Sequence, residues 1–322
     1  MKRWAQTVAL ALLAFAVILS AQGREHVTVH LKWHHGAQFA GFYAAIEEGF
    51  FDRVDLDVAL IDGAATDEVL AGLAHGAFDF VLVDPSRHLA AVARGVPIVA
   101  VAAIYQIDPA VIFALPASGI RVPEDLIGKR VMSFSTSLVV PAVLGRVGLS
   151  VEDVEIGPPS FDLGDLYSGF YDAWTGYVTN EVRRVRNEGH DVHVIYPTDY
   201  GVHLFGDVLT TRWDLVDADS DLVARFVDAT LDGWIWVLDH VEAAAEMCSR
   251  WSPDSDPLEQ LEFLRASLPF VHAGELGLGG MSDHRWGDMV TMMVDVGLLP
   301  AGFDPAVAYT LQFVRESYLN AP

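Results

Sequence analysis

Four short clusters of polar and aromatic residues follow apolar runs in this chain. The first is Trp33-His34-His35, with Gln38 and Tyr43 close behind. The second is Asp84-Pro85-Ser86, and the third is Ser135-Thr136-Ser137. The fourth runs from Tyr177 through Asn180 to Glu181. An aromatic heterocycle needs flat apolar faces and a few in-plane hydrogen bonds; offset or edge-on ring pairs add about 0.5–1.5 kcal/mol beyond burial. Trp33 and Tyr177 suit the faces, with Tyr43 behind them. Glu181 stands four residues past Tyr177 and opens a helix. Its carboxylate can accept from an exocyclic amine or a protonated ring nitrogen, or it can simply favour the positive end of that helix. His34 and His35 can donate to a ring nitrogen or carbonyl, or bond to loop backbone. Asp84 and Ser86 follow a buried strand, where polar groups often touch ligand, although Pro85 also fits a plain turn. Ser135 and Thr136 precede a helix whose N–H groups can hold an anion or a carbonyl; an ordinary N-cap is the other reading. No metal site is expected. His30 and His34 are not spaced on a helix, and adjacent His34 and His35 point apart if extended.

These clusters need strands to present them. His26 to Trp33 alternates apolar and polar residues as a half-buried strand does, and Gln38 to Gly49 then takes helical spacing. Strands at Leu56 to Ile61, Phe78 to Val83 and Pro97 to Ile104 alternate with helices at Thr66 to Gly76, capped by Thr66, and at Arg87 to Arg94. The pattern restarts with strands at Val111 to Leu115, Arg130 to Phe134, Val154 to Ile156, Ala173 to Tyr177 and Val192 to Ile195, again separated by helical segments. A strand-like run at Val208 to Thr211 follows. Ser220 to Ala266 reads as helical, and a last helix spans about Asp283 to Val296. Phe39, Phe42, Trp234 and Trp236 read as core. The order predicts an α/β protein with mostly parallel sheets covered on both faces. Ligands in such folds sit beyond the C-terminal ends of the strands, which is where the four clusters fall.

The composition narrows the function. The 322 residues include 20 Lys+Arg against 44 Asp+Glu, a net charge of −24. So negative a field repels phosphate backbones and anionic lipid, so no nucleic-acid partner is expected. Cys248 is the single cysteine, which excludes an intramolecular disulfide or a cysteine-rich metal site. Lys2 and Arg3 followed by the apolar run Trp4 to Ala21 read as an export signal over residues 1–23, with a small-x-small site at Ala21-Gln22-Gly23; an uncleaved N-terminal anchor is the alternative. No cysteine near that site offers a lipid anchor, and no later apolar run is long enough to span a membrane.

The run Leu31-Lys32-Trp33-His34-His35-Gly36-Ala37-Gln38-Phe39-Ala40-Gly41-Phe42-Tyr43, continuing to Glu48-Gly49-Phe50-Phe51, resembles the opening of the NMT1/THI5-like (SsuA/THI5-like) substrate-binding proteins. That family's usual form is LKW-x-H-Q-x-QFAGFY-x-A-x-E-x-GF. Pro123-Glu124-Asp125-Leu126, Gly128-Lys129-Arg130-Val131, Tyr177-Val178-Thr179-Asn180-Glu181 and Gly206-Asp207-Val208-Leu209 extend the match. The resemblance implies a two-lobed periplasmic-binding-protein type II fold, hinged at two crossovers placed near Leu115 and Phe205. The first lobe would comprise residues 24–115 and 206–322, and the second 116–205. It implies a monomeric periplasmic solute receptor, without cofactor, that delivers a small heteroaromatic ligand to the permease and ATPase of an ABC importer. A receptor for a separate membrane kinase is the alternative partner. The family's pyrimidine binders use a Tyr and a Glu at the spacing of Tyr177 and Glu181, which favours a thiamine pyrimidine precursor such as hydroxymethylpyrimidine or formylaminopyrimidine. The His34-His35 opening and Gln38 depart from the Asn-rich form of those binders and keep riboflavin or a sulfonate- or nitrate-type ligand open. The family's pyrimidine synthases need an iron-binding cysteine cluster that this chain lacks, so no enzyme activity and no catalytic residue are expected.

Overall fold

The computed structural model describes residues 23–134, 137–273 and 276–320. The expected export signal, apart from Gly23, and the candidate residues Ser135 and Thr136 lie outside the described residues.

Strands β1 (Glu25–His30), β2 (Leu56–Ile61), β3 (Phe80–Val83) and β4 (Ile98–Ala103) alternate with helices Ala40–Glu47, Asp67–Ala74 and Pro85–Ala93. Strands β5 (Ala110–Ala114), β6 (Arg130–Met132), β7 (Glu155–Gly157), β8 (Ala173–Tyr177) and β9 (His193–Ile195) follow, and β10 (Val208–Arg212) returns to the first group. Two five-stranded sheets result, in the orders β2-β1-β3-β10-β4 and β7-β6-β8-β5-β9. In the first, β10 alone opposes the other four strands. In the second, β5 alone does so. The expected α/β architecture of mostly parallel, helix-flanked sheets is therefore present, and the reversed strand of each sheet is the one beside a crossing.

The reasons are visible in the sequence. Strands β3 (FVLV) and β4 (IVAVAA) are buried along their whole length, as strands covered on both faces must be. Thr66 caps its helix by accepting from the Val69 N–H at 3.4 Å. Phe39, Phe42 and Trp234 are buried in the core of the first half, and Trp236 packs at its margin. Phe226 stacks on both Phe51 (5.3 Å) and Phe80 (4.0 Å), which locks the Ser220–Asp239 helix onto that sheet. The Asp283–Asp295 helix reaches both halves, packing on Pro85–Ala93 and on Val139–Arg146, with Trp286 stacked on Tyr309.

Three expectations change. Strand β5 pairs with β8 and β9, so Ala110–Ala114 belong to the second sheet and the chain changes sheet within residues 104–109, upstream of Leu115. An apolar run such as Val111 to Leu115 suits a central strand of either sheet, so its pattern alone does not assign it. The helical stretch 220–266 is three helices, Ser220–Asp239, Val241–Trp251 and Pro257–Val271. Pro257 brings no N–H to the start of the third, and the Asp256 carboxylate caps the Leu258 N–H at 2.7 Å. Finally, β1 ends at His30, so Lys32 and Trp33 stand in the loop beyond it.

Candidate functional site

Register alone brings the first group together. β1 and β3 run parallel with His30 opposite Val81, so the loops after both strands emerge at one edge of the sheet. β10 opposes β3 with Val208 across from Val83, which sets Asp207 beside Asp84 at that same edge. In the other sheet Ala110 faces Tyr177, so the start of β5 and the end of β8 share an edge. The two crossings zip these edges together. Ile104 N–H donates to the Asp207 carbonyl (2.8 Å), Gly206 N–H to the Tyr105 carbonyl (2.9 Å) and Asp108 N–H to the Leu204 carbonyl (3.0 Å). Gly206 is required here, because a Cβ on it would stand 2.6 Å from the Tyr105 Cβ.

Lys32 occupies the meeting point. Its Nζ donates to the Tyr177 hydroxyl (2.6 Å) and to Asp207 Oδ1 (2.8 Å), and pairs with Asp84 Oδ1 at 2.5 Å. That uses all three ammonium donors. Gln38 Nε2 donates to the second Asp207 oxygen at 2.5 Å. The Lys32 side chain is 13% exposed and that of Asp207 only 1%, whereas Asp84 remains 41% exposed. Burial pulls the Lys32 pKa down, but Asp207, Asp84, Tyr177 and Asp108 outweigh it and raise it well above its ordinary value. The ammonium is therefore permanently charged. Tyr177 is held far above the usual phenol range, first by burial, and stays a neutral donor.

Asp108, in the first crossing, is pushed up to about 7, chiefly by burial, with Lys32 opposing. A free aspartate loses its proton near pH 4, so between about pH 4 and 7 the folded protein binds a proton that the unfolded chain has lost. Stability contributed by this group is present below that window and is lost as pH rises through it. The Asp108→Asn variant keeps the acceptor for the Ala110 N–H (3.0 Å) but cannot ionise. Its urea midpoint is expected to fall less than the wild-type midpoint between pH 5 and pH 7.5. Parallel pH profiles would refute the assignment.

One residue past Lys32, Trp33 from the first half meets Phe161 from the second at 5.4 Å between ring centroids, and Phe134 stands 5.9 Å from Phe161. All three rings are partly exposed. At another place the Glu181–Asn187 helix of the second half is tied to the Pro257–Val271 helix, which packs on the first. Arg183 Nη1 pairs with Glu262 Oε2 at 2.5 Å, and Asn187 Nδ2 donates to the same oxygen at 3.1 Å. Gln260 of that long helix accepts from the Ala37 N–H at 2.7 Å, which ties the clamp to the loop carrying His35 and Gln38.

The other sequence candidates divide. Tyr43 is fully buried, its ring stacked 4.9 Å from Trp251 and its hydroxyl accepting from the Gly36 N–H at 3.1 Å. His35 Nδ1 lies 3.0 Å from that same hydroxyl, and burial lowers the His35 pKa. Both belong to the packing of the first half. His34 is largely exposed and pairs with Asp62 at 2.9 Å. Ser86 is buried in the first turn of its helix. Glu181 turns back on its own loop: Oε2 accepts from the Tyr177 N–H at 2.7 Å and Oε1 from Asn180 Nδ2 at 3.1 Å. Burial raises the Glu181 pKa, while the Tyr177 N–H works against that. The structure thus brings Gln38, Asp84 and Tyr177 together, sets Trp33 beside Phe161, and adds Lys32, Asp108, Phe161 and Asp207, none of which was among the sequence candidates.

Comparison with known proteins places this geometry. A formylaminopyrimidine-binding protein of Halalkalibacterium halodurans is 27% identical over 84% of each chain. The riboflavin-binding protein RibY of Chloroflexus aurantiacus is 26% identical over 90% of this chain and 86% of its own. A 4-amino-5-hydroxymethyl-2-methylpyrimidine phosphate synthase of Legionella pneumophila is 23% identical over 91% of this chain and 94% of its own. Among solved structures, the periplasmic aliphatic sulphonate binding protein SsuA of Escherichia coli superposes with a TM-score of 0.71 at 15% identity, over 88% of this chain and 91% of that one. That likeness identifies the fold, a periplasmic-binding-protein type II architecture. The opening motif, the two sheets exchanged through paired crossings and the match over residues 36–244 together make this chain a member of the NMT1/THI5 like family.

Proposed function

We propose that this protein is an exported solute receptor that closes its two halves on a small heteroaromatic ligand, such as a thiamine pyrimidine precursor, and presents it to the permease and ATPase of an ABC importer. The halves act as lobes hinged at residues 104–108 and 204–207, and residues 1–23 serve as the export signal. The observation that carries the reading is the pairing of Trp33 and Phe161 from opposite halves at 5.4 Å, directly after strand ends in a fold that binds ligands there. Partly exposed rings where two halves meet are suited to stack on a planar molecule, and closure around a ligand is how two-lobed receptors signal occupancy. Among the described residues no helix is long and apolar enough to cross a membrane, which suits a receptor that works beside its permease. Cys248 is buried and its thiol is pushed up to about 12, chiefly by burial, so it offers no thiolate for nucleophilic or metal chemistry. That supports a receptor over the synthase activity named for one relative.

Titration calorimetry with hydroxymethylpyrimidine, formylaminopyrimidine and riboflavin tests this. Binding near 1 μM, equivalent to about −8 kcal/mol, is expected with at least one of the pyrimidines. A folded protein that gives no heat with any of the three would overturn the ligand class.

A further inference from the structure

We infer that Asp84, and not Glu181, is the carboxylate that receives the ligand, so that the cleft selects a flat molecule presenting N–H donors and turns oxyanions away. This rests on the receptor reading above and specifies its chemistry.

Most of the hydrogen-bonding groups around Lys32 are already engaged, and Asp108 accepts the Ala110 N–H on one oxygen. Lys32 has committed all three of its donors, to Tyr177, Asp207 and Asp84. Asp207 has both oxygens engaged, Oδ1 by Lys32 and Oδ2 by Gln38, and its side chain is almost completely buried. Glu181 has both oxygens engaged by its own loop, one by the Tyr177 N–H and one by Asn180. Arg183 is held by Glu262 at the clamp. Asp84 differs. Lys32 holds its Oδ1, while its Oδ2 has no partner among the described residues. Asp84 stands at the N-terminus of the Pro85–Ala93 helix, yet its side chain does not cap that helix. It is also the half-exposed member of the cluster. One fixed oxygen and one open oxygen make an oriented acceptor.

The charge balance points the same way. One ammonium faces Asp84, Asp207 and Asp108. A sulfonate or nitrate entering here would meet carboxylates and a cation with no donor to spare. An exocyclic amine or protonated ring nitrogen would instead complete the open lone pairs of Asp84, a charge-assisted bond of the stronger kind. Tyr177, whose ring lies under the Lys32 ammonium at 5.2 Å, then marks the inner limit of the ligand plane.

The test uses the full chain and four probes in calorimetry: hydroxymethylpyrimidine, its analogue lacking the amine, ethanesulfonate and nitrate. The wild type is expected to prefer the amine-bearing ring over the deaminated one by about tenfold or more, and to give no heat with either oxyanion. Asp84→Asn, nearly isosteric and at a half-exposed position, is expected to lose that preference. Circular dichroism checks its fold, and the wild-type arm stands without it. Ethanesulfonate or nitrate binding as tightly as the pyrimidine would overturn the inference while leaving a solute receptor. So would a preference that survives in Asp84→Asn and disappears in Glu181→Gln. Silence with all four probes would instead remove the heteroaromatic reading, and this inference with it.

Discussion

Lys32→Met is expected to destabilise the fold by about 3–5 kcal/mol, the penalty of leaving a buried ionic partner uncompensated. The side chain is nearly the right length, so little volume is lost and the electrostatic loss dominates. Asp207 carries the effect. With the ammonium gone it keeps only the Gln38 amide at 2.5 Å and the Tyr177 hydroxyl at 3.4 Å, in a place where water does not reach it. Asp84 contributes less, because its half-exposed carboxylate can recover solvent. Arginine is not a rescue, since a planar fork cannot direct three diverging donors at Tyr177, Asp207 and Asp84 as an ammonium does. Urea unfolding reads the change as a lower midpoint with an unchanged slope. A double variant, Lys32→Met with Asp207→Asn, removes the stranded charge and is expected to recover a substantial part of the loss, a coupling that additive effects would not give. A midpoint within experimental scatter of wild type for Lys32→Met would show that the cluster is solvated and not structural.

The same residue shows where reading the sequence stops. The strands were legible because burial on both faces writes a continuous apolar run, as in Phe80–Val83 and Ile98–Ala103. The edges at which the post-strand loops gather are legible for the same reason, and Trp33, Asp84 and Tyr177 fall there. Lys32 lies inside the family's opening motif, yet a lysine near the end of a half-buried strand ordinarily reads as solvated. Its signal was compositional: the chain has only three lysines, Lys2, Lys32 and Lys129, against 17 arginines. Asp207 lies in the Gly206-Asp207-Val208-Leu209 match, but its place beside Asp84 comes from the register of β10 against β3, which pairs residues more than a hundred positions apart. Phe161 sits in a proline-containing loop without periodicity, so nothing local directs it toward Trp33. Tyr43 packs inward for a reason the pattern contains. It stands four residues past Phe39, the N-cap of the Ala40–Glu47 helix, and both side chains are buried in the core of the first half. Glu181 illustrates the opposite lesson. Spacing leaves both a helix-terminal acid and a ligand carboxylate open, and the bonds its two oxygens make to residues 177 and 180 cannot be read from spacing.

Gly233→Ala is expected to cost about 3 kcal/mol or more, at the upper end for overpacking, although alanine is the better helix former. Gly233 lies on the Ser220–Asp239 helix where it crosses the helix Ala40–Glu47. A Cβ at 233 would stand 2.2 Å from the Gly41 carbonyl oxygen and 2.9 Å from the Ala45 nitrogen. The obstruction is mutual, since a Cβ at Gly41 would fall 2.3 Å from the Trp234 indole. Backbone cannot rotate aside as a flexible side chain can, so the helices must move apart. Separation would loosen the packing of Trp234 and Tyr43, both fully buried, and each lost contact adds to the cost. The propensity gain from removing a helical glycine is at most about 1 kcal/mol, too small to offset this. Gly287 supplies the control: it lies in the Asp283–Asp295 helix with nothing within 4 Å of an added Cβ, so Gly287→Ala is expected to raise stability by up to about 1 kcal/mol. The two alanines should therefore move the urea midpoint in opposite directions. The displacement should also reach the cleft, because the helix Ala40–Glu47 continues directly from the turn that holds Gln38 against Asp207. A weaker hydroxymethylpyrimidine isotherm for Gly233→Ala under conditions where it remains folded, with Gly287→Ala unchanged, is the signature of a scaffold that positions its site through backbone contact. Equal stability of Gly233→Ala and wild type would mean that the crossing has slack, and that Gln38 is held in place by its bond to Asp207 alone.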